Sequence, residues 1–234
     1  VSRSNPHESA PNPAVRWFEW SGEHGRIRYY DKTAQMSIDV PLPFTFLLLD
    51  ELASVRGWHD ASESGIYSNE VRDTTKQVLV VKTFKGETLA EGYYKAIKDK
   101  VNGQGGRYVA NCYIAAKVDD VLSVCSLRFK GAALGAWMEF RKAHRGKLFD
   151  SAVRIHGFTE GKKGRITFRM PSCELYGVTP ETQVDALALD KTLQAWLDGY
   201  FSRRTHDQAE APQPDSLSAE DAYSEPLTDN DIPF

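Results

Sequence analysis

Apolar positions along this chain alternate more often than they recur at helical spacing, and a period of two marks strands. Residues 15–20 and 26–30 are short, rich in aromatic and β-branched side chains, and separated by Gly22 and Gly25. Residues 36–40 follow, and Pro41-Leu42-Pro43 then imposes an extended or bent connection. The apolar run 44–49 is of strand length and continues irregularly to Trp58. Residues 66–72 and 77–84 come next. Residues 107–118 and 121–130 read as a hairpin around Asp119-Asp120, and 152–159 with 165–170 as another around 160–164. Three helices interrupt this pattern. In 89–101, Leu89, Tyr93, Ile97 and Val101 recur at spacing four, and in 132–144 Leu134, Trp137, Met138 and Arg141 share a face. The third begins at Thr179-Pro180, with Thr as cap and Pro in the first helical position. Its Val184, Leu187, Leu189, Leu193, Trp196, Leu197 and Tyr200 form a broad apolar face that predicts docking on a sheet. Strands with helices inserted between hairpins predict a mainly β, antiparallel α+β domain or an elaborated barrel. A doubly wound sheet would alternate strand and helix more regularly.

Composition divides the 234 residues into three stretches. Residues 1–14 carry Pro6, Pro11 and Pro13 among small polar residues and predict a disordered arm. Residues 15–205 hold the apolar periodicity and predict one ordered domain. From 206 to 234, prolines and acids dominate, too little apolar area remains to offset ordering entropy, and the stretch predicts a disordered tail. The net charge of −3 conceals an asymmetry: the tail has eight acids and no Lys or Arg. Setting it aside leaves 29 basic against 24 acidic residues, so a basic body precedes an acidic tail. That pairing predicts an anionic partner for the body and a basic partner for the tail. No apolar run approaches the ~20 residues of a spanning helix, so no membrane partner is expected. Three cysteines form no disulfide framework, and with no charged-then-apolar leader the expected location is the cytoplasm of a bacterium or of a phage's host.

The chain ends Asp229-Asn230-Asp231-Ile232-Pro233-Phe234. Phe234 puts an aromatic ring and a free carboxylate on one residue. Pro233 limits the entropy lost on docking, and Ile232 adds apolar area. An apolar pocket beside an Arg or Lys captures ring and carboxylate together, while Asp229 and Asp231 meet a basic rim. This end resembles the Asp-Asp-Asp-Ile-Pro-Phe tip of bacterial and bacteriophage single-stranded DNA-binding proteins, with Asn230 in place of one Asp. The resemblance covers the tip and the plan of a basic β-rich body with an acidic tail. The family's usual body is much smaller; larger phage members, with an elaborated oligonucleotide-binding (OB-like) barrel, are similar in length. It implies a protein that coats single-stranded DNA and recruits replication or recombination enzymes through the tip.

The body has residues suited to that partner. Single-strand binding needs basic grooves interleaved with aromatic platforms. Alternation places Arg26, Arg28 and Tyr30 on one face, Arg107, Asn111, Tyr113 and Lys117 on another, and Arg165, Thr167 and Arg169 on a third beside Lys162-Lys163. Lys82 and Lys85 end one strand, Arg128 and Lys130 another. Trp58, between Arg56 and His59, is the best exposed aromatic candidate. Trp137 and Trp196 lie on apolar helix faces and are expected in the core.

Other chemistries have weaker marks. No phosphate-binding loop is present, and Gly103-Gln104-Gly105-Gly106 enters a strand rather than a helix. No Cys-x-x-Cys or paired-histidine spacing predicts a metal centre, and no cofactor is called for. Asp50-Glu51 and Asp119-Asp120 are the acid pairs a magnesium-dependent nuclease would need. The expectation is a non-catalytic single-strand binder. The alternatives are such a nuclease bearing the same tip, or an adaptor acting through its tail. The sequence leaves self-association open.

Overall fold

The computed structural model describes residues 11–204; the tail and its tip, with most of the N-terminal arm, lie outside the described residues. The strands are β1 (Arg16–Ser21), β2 (Arg26–Asp31), β3 (Met36–Val40), β4 (Phe44–His59), β5 (Ser64–Ser68), β6 (Leu79–Thr83), β7 (Thr88–Gly92), β8 (Gly106–Val118), β9 (Val121–Lys130), β10 (Ala152–Lys163) and β11 (Ile166–Tyr176). The helices are α1 (Tyr94–Gly103), α2 (Gly131–Ala143) and α3 (Pro180–Arg204). The strands form one sheet in the order β3-β2-β1-β9-β8-β4-β5-β6-β7, with β10 branching from the start of β4 and β11 pairing only with β10.

That order corrects the expected OB-like barrel. The path has two free ends, β3 and β7, and no ladder joins them, so this is a mixed α/β fold on an open sheet. The physical reason lies in β4. Its sixteen residues outrun any single neighbour, so one edge of it carries β10 at Phe44–Leu47 and β5 at Arg56–His59. The β1-β2-β3 meander then extends the sheet outward from β9, β1 pairing with it in parallel.

A second correction concerns residues 89–101. Leu89 and Ala90 belong to β7, paired with β6, and the helix starts only at Tyr94. Gly92, at φ 149°, ends the strand, and Gly86, at φ 90°, turns the β6–β7 hairpin. The spacing-four stripe spans both elements because both bury their apolar side against the same core, where Leu89, Ile97 and Val101 meet Val55, Ile66 and Val81. The β8–β9 hairpin agrees with expectation: Asp119 and Asp120 both have positive φ, 51° and 65°, as a two-residue primed turn requires.

Helices α1 and α2 cover one face of the sheet. Trp137 on α2 is fully buried among Phe46 and Phe129, with ring centroids 6.2 and 5.1 Å away. Its indole N–H donates to Glu51 Oε2 at 2.8 Å, and Arg141 pairs with the same carboxylate. Helix α3 covers the other face at one end only: Leu193 and Leu197 pack with Leu52, Tyr113 and Val124, and Ala186 with Leu47 and Ala115. Its N-terminus is capped as predicted, Thr179 Oγ1 accepting from the Thr182 N–H at 3.3 Å. Val184 and Leu187 nevertheless stay exposed, so the apolar face is broader than the docked one.

Replacing Trp137 with Ala removes the ring that joins α2 to the sheet and leaves Glu51 without its indole donor. We expect a loss of ~3–5 kcal/mol, read as a lower urea midpoint at unchanged m. A loss under ~1 kcal/mol would show that α2 is not anchored through this side chain.

Candidate nucleic-acid interface

Helix α3 stops short of half of its sheet face, and register defines what that half presents. Residues that pair across neighbouring strands share a face. One row reads Asp39–Arg28–Glu19–Arg128–Asn111–Leu52 across β3, β2, β1, β9, β8 and β4; it becomes buried from Arg128 onward and ends at Leu52 under α3. A second, further along the strands, reads Arg107–Arg56–Tyr67–Lys82 across β8, β4, β5 and β6. By alternation Arg26, Tyr30, Trp58 and Lys130 fall on the same face. The cations therefore span β2 to β6, six strand spacings or ~29 Å.

Acids interleave with them. Arg26 Nη1 bonds Asp39 Oδ2 at 2.6 Å and Arg28 Nε lies 3.1 Å from Asp39 Oδ1. Lys130 Nζ lies 2.5 Å from Glu19 Oε1. Burial alone would raise the Glu19 carboxyl, but Lys130, Arg128 and Arg56 together outweigh it and hold the group below its ordinary value. Glu70, at the border with α3, goes the other way. Burial raises its carboxyl, and the Tyr113 hydroxyl with Arg56 and Arg128 offset only part of that. The band thus keeps a net positive charge in a half-desolvated setting, where Coulomb attraction is stronger than in bulk water.

The aromatic component is built around a glycine. Phe84 and Tyr67 stack with ring centroids 5.3 Å apart at 15°. The Phe84 ring occupies the space where Gly65 would carry a Cβ. Trp58 faces Gly65 across the β4–β5 ladder and is half-buried. Phe84 is 37% exposed and lies two residues beyond Lys82 on the same side of the sheet.

Of the residues singled out in the sequence, this face collects Arg26, Arg28, Tyr30, Trp58, Lys82 and Arg107. Arg107 also has a structural duty, its Nη1 donating to the Asn102 carbonyl at the end of α1 at 2.9 Å. Tyr113 is misplaced. It shares the face, but α3 covers it, and it is 1% exposed. Its hydroxyl donates to Glu70 Oε2 at 2.8 Å and accepts from Asn12 Nδ2 at 3.1 Å, and burial followed by the Glu70 charge pushes its pKa well up. Lys117 sits ten residues beyond Arg107 on β8, past α3, exposed and remote from the band. Lys162, Lys163 and Arg165 lie at the tip of the β10–β11 hairpin, Arg165 in the turn and not in a strand. Arg169 is not a free strand cation: its Nε bonds Glu160 Oε1 at 3.0 Å and its Nη1 the Glu23 carbonyl. Sequence reasoning passed over Arg56, Tyr67 and Phe84. The triplet Ser54, Arg56, Trp58 at alternate positions was the available signal for Arg56; nothing local marks Phe84, whose place depends on Gly65 of the next strand.

No protein-family model, curated protein or solved structure matches this chain. Among the described residues, no group of three His, Cys, Asp or Glu side chains could hold a metal ion, and no helix is long and apolar enough to cross a membrane. Asp50 and Glu51 diverge. Asp50 faces α3, 2.8 Å from Arg72 Nη1 and 3.1 Å from Gln194 Nε2, while Glu51 faces α2. Asp119 and Asp120 are exposed in their turn. The thiols of Cys125 and Cys173 are pushed by burial up to about 12, and burial with the Glu51 charge pushes Cys112 well above its ordinary value, which suits packing and not nucleophilic attack.

Glu70 carries a pH signature. Above the ordinary value of 4.5 and up to its raised folded value, the folded state keeps a proton that the unfolded chain has lost. Stability therefore falls as pH rises through that window. Glu70→Gln still accepts from Tyr113 and has no proton to lose. Its stability relative to the parent should be greater at pH 7 than at pH 4, measured by urea denaturation. An equal difference at both pH values would remove Glu70 from this role.

Proposed function

We propose that this chain is a non-catalytic single-stranded DNA-binding protein that holds the strand on the open half of its sheet and recruits partner enzymes through its C-terminal tip. One observation carries the body's share: Arg26, Arg28, Arg56, Lys82 and Arg107 share a face with Trp58 and with Phe84, which stacks on the buried Tyr67, while Arg128 on the same face is buried. Cations track phosphates, aromatic faces accept any base, and neither reads base edges, so binding carries little sequence preference. The tip Asp229–Phe234 supports the recruiting role by its resemblance alone. A magnesium-dependent nuclease with the same tip is the competing reading, and cleavage of DNA on adding magnesium selects it.

The first test is a salt titration of binding to single-stranded oligonucleotides. Affinity should fall steeply with salt, and the Arg56→Gln/Lys82→Gln double variant should reduce the log–log slope by ~1.4, at ~0.7 per lost phosphate contact on a single strand. Urea midpoints verify that the variant is folded. An unchanged slope in a folded variant moves the interface off this face.

The second test separates body from tail. Truncation at His206 removes eight acids and should strengthen DNA binding at low salt, the gain shrinking as salt screens both contacts. Deleting Phe234 alone leaves those acids in place, so DNA affinity should stay constant. Capture of replication and recombination enzymes should be lost, since a buried aromatic anchor is worth ~2 kcal/mol or more. Capture persisting after nuclease treatment of the lysate would defeat the tip reading.

A further inference from the structure

The β10–β11 hairpin continues well past the sheet. Strand β10 leaves β4 after Ile155, with a bulge before Gly157, and from there pairs only with β11 out to Lys163–Ile166. The root of this ribbon is fastened to the β1–β2 turn. The Arg169 N–H donates to the Gly22 carbonyl at 2.8 Å, and the Trp20 indole N–H donates to the Arg169 carbonyl at 2.8 Å. A Cβ on Gly25 would lie 2.6 Å from both the Phe158 ring and Arg169 Cδ, so the turn and the ribbon are in close contact there. Arg26, the first residue of β2, follows directly. Arg26 and Phe158 line one open cavity together with Gly25, so the Arg28–Arg26 end of the cationic band lies next to the foot of the ribbon.

Beyond Arg169 the ribbon extends about four residues, ~13 Å. Lys162, Lys163 and Arg165 are exposed at its tip, and no acid occurs from Gly161 to Phe168. The tip itself carries one aromatic, Phe168, half-buried with its ring over Gly161 of the opposite strand; Phe158, 43% exposed, belongs to the foot of the ribbon, against Gly25. The tip thus offers phosphate-binding charge with no free stacking platform, unlike the sheet face, which offers both. Unpaired bases need platforms. Paired bases are already stacked, and a duplex is held through its phosphates, with a two-stranded ribbon fitting the ~12 Å major groove.

We propose that the β10–β11 ribbon is a second nucleic-acid site that takes the duplex flank of a single-strand/duplex junction. This rests on the single-strand reading of the sheet face, which holds the unpaired tail. The experiment compares full-length protein with a Lys162→Gln/Lys163→Gln/Arg165→Gln variant on three fluorescent probes: a single-stranded tail, the same tail joined to a duplex, and the blunt duplex. The parent should bind the tailed duplex more tightly than the tail, and the variant should bind both equally. The salt slope for the tailed duplex should fall by ~2.7 in the variant, at ~0.9 for each of three B-form phosphates, with tail binding unchanged. Equal binding of tail and tailed duplex by the parent overturns the proposal. So does an equal loss on both probes in the variant, which would put the ribbon on the single strand. If the bare tail fails to bind at all, the sheet-face reading falls, and the blunt duplex still decides the ribbon. Weaker duplex binding by the variant upholds a duplex site, and unchanged binding overturns it.

Discussion

A single extra residue in β4 decides which side chains face the solvent. The β4–β8 register slips between Leu48 and Asp50, so that Leu47, Asp50 and Leu52 all lie toward α3. Up to Leu48 the even positions, Phe46 and Leu48, join the core beneath α2. After the slip the odd positions, Ala53 and Val55, do so beneath α1. Without it, Val55 would face outward and Arg56 would point into an apolar core, at the several-kcal/mol cost of burying a charge. The bulge therefore keeps both cores apolar along one sixteen-residue strand and places Arg56 and Trp58, with the buried Ser54, on the α3 side of the sheet. The alignment of Arg56 with Arg107 follows from the same slip, and the regular β4–β5 ladder then sets Tyr67 opposite Arg56.

Local signals made much of this legible. Alternation found most strands, Asp119-Asp120 marked its hairpin, and Thr179-Pro180 marked the start of α3. The open sheet was not legible, because closure depends on which edges meet, and those edges are far apart in sequence: β1 joins β9 across about a hundred residues. The same limit explains Tyr113. Alternation assigned it correctly to the face of Arg107, but whether a position on that face meets water or α3 is set by where a helix seventy residues later comes to rest. Arg169 was misread for a related reason. Its partners Glu23 and Glu160 come from another turn and another strand, and no window around residue 169 contains Glu23.

Opposed titrations at Glu19 and Glu70 show how charge is graded across the face. Glu19 sits among Lys130, Arg128 and Arg56 and stays ionised, so it neutralises part of the band where the cations are densest. Glu70 lies where burial by α3 dominates, and its carboxyl resists ionisation despite Arg56 and Arg128. Arg56 and Arg128 are thus opposed by one firmly charged carboxylate and one reluctant one. On the proposed reading, a phosphate would compete with Glu19 and Glu70 for Arg56, an exchange of one anion for another and not the filling of an empty site. Such exchange favours a polyanion that offers many phosphates at once over any single small anion.

The course of α3 relates this face to the rest of the chain. The helix begins over Leu47 and Ala115 and ends with Tyr200 accepting from the Glu70 N–H at 2.9 Å and Phe201 beneath the Arg72 guanidinium, 5.3 Å from its ring centroid. Glu70 is the residue on which Arg56 and Arg128 act. The chain therefore leaves α3 beside the cationic half of the sheet, and the first acid of the tail, Asp207, comes only three residues after Arg204. Only residues 205 and 206 separate it in sequence from the end of the helix. Had α3 run in the opposite direction, the same acids would start at the Leu47 end, several helical turns away at ~5.4 Å each, and most of their attraction would be screened within the ~8 Å Debye length of physiological salt. Helix direction, set by where Leu193, Leu197 and Trp196 find apolar partners, thus decides that the acidic stretch of the sequence starts at the half of the sheet to which the proposed reading assigns nucleic acid.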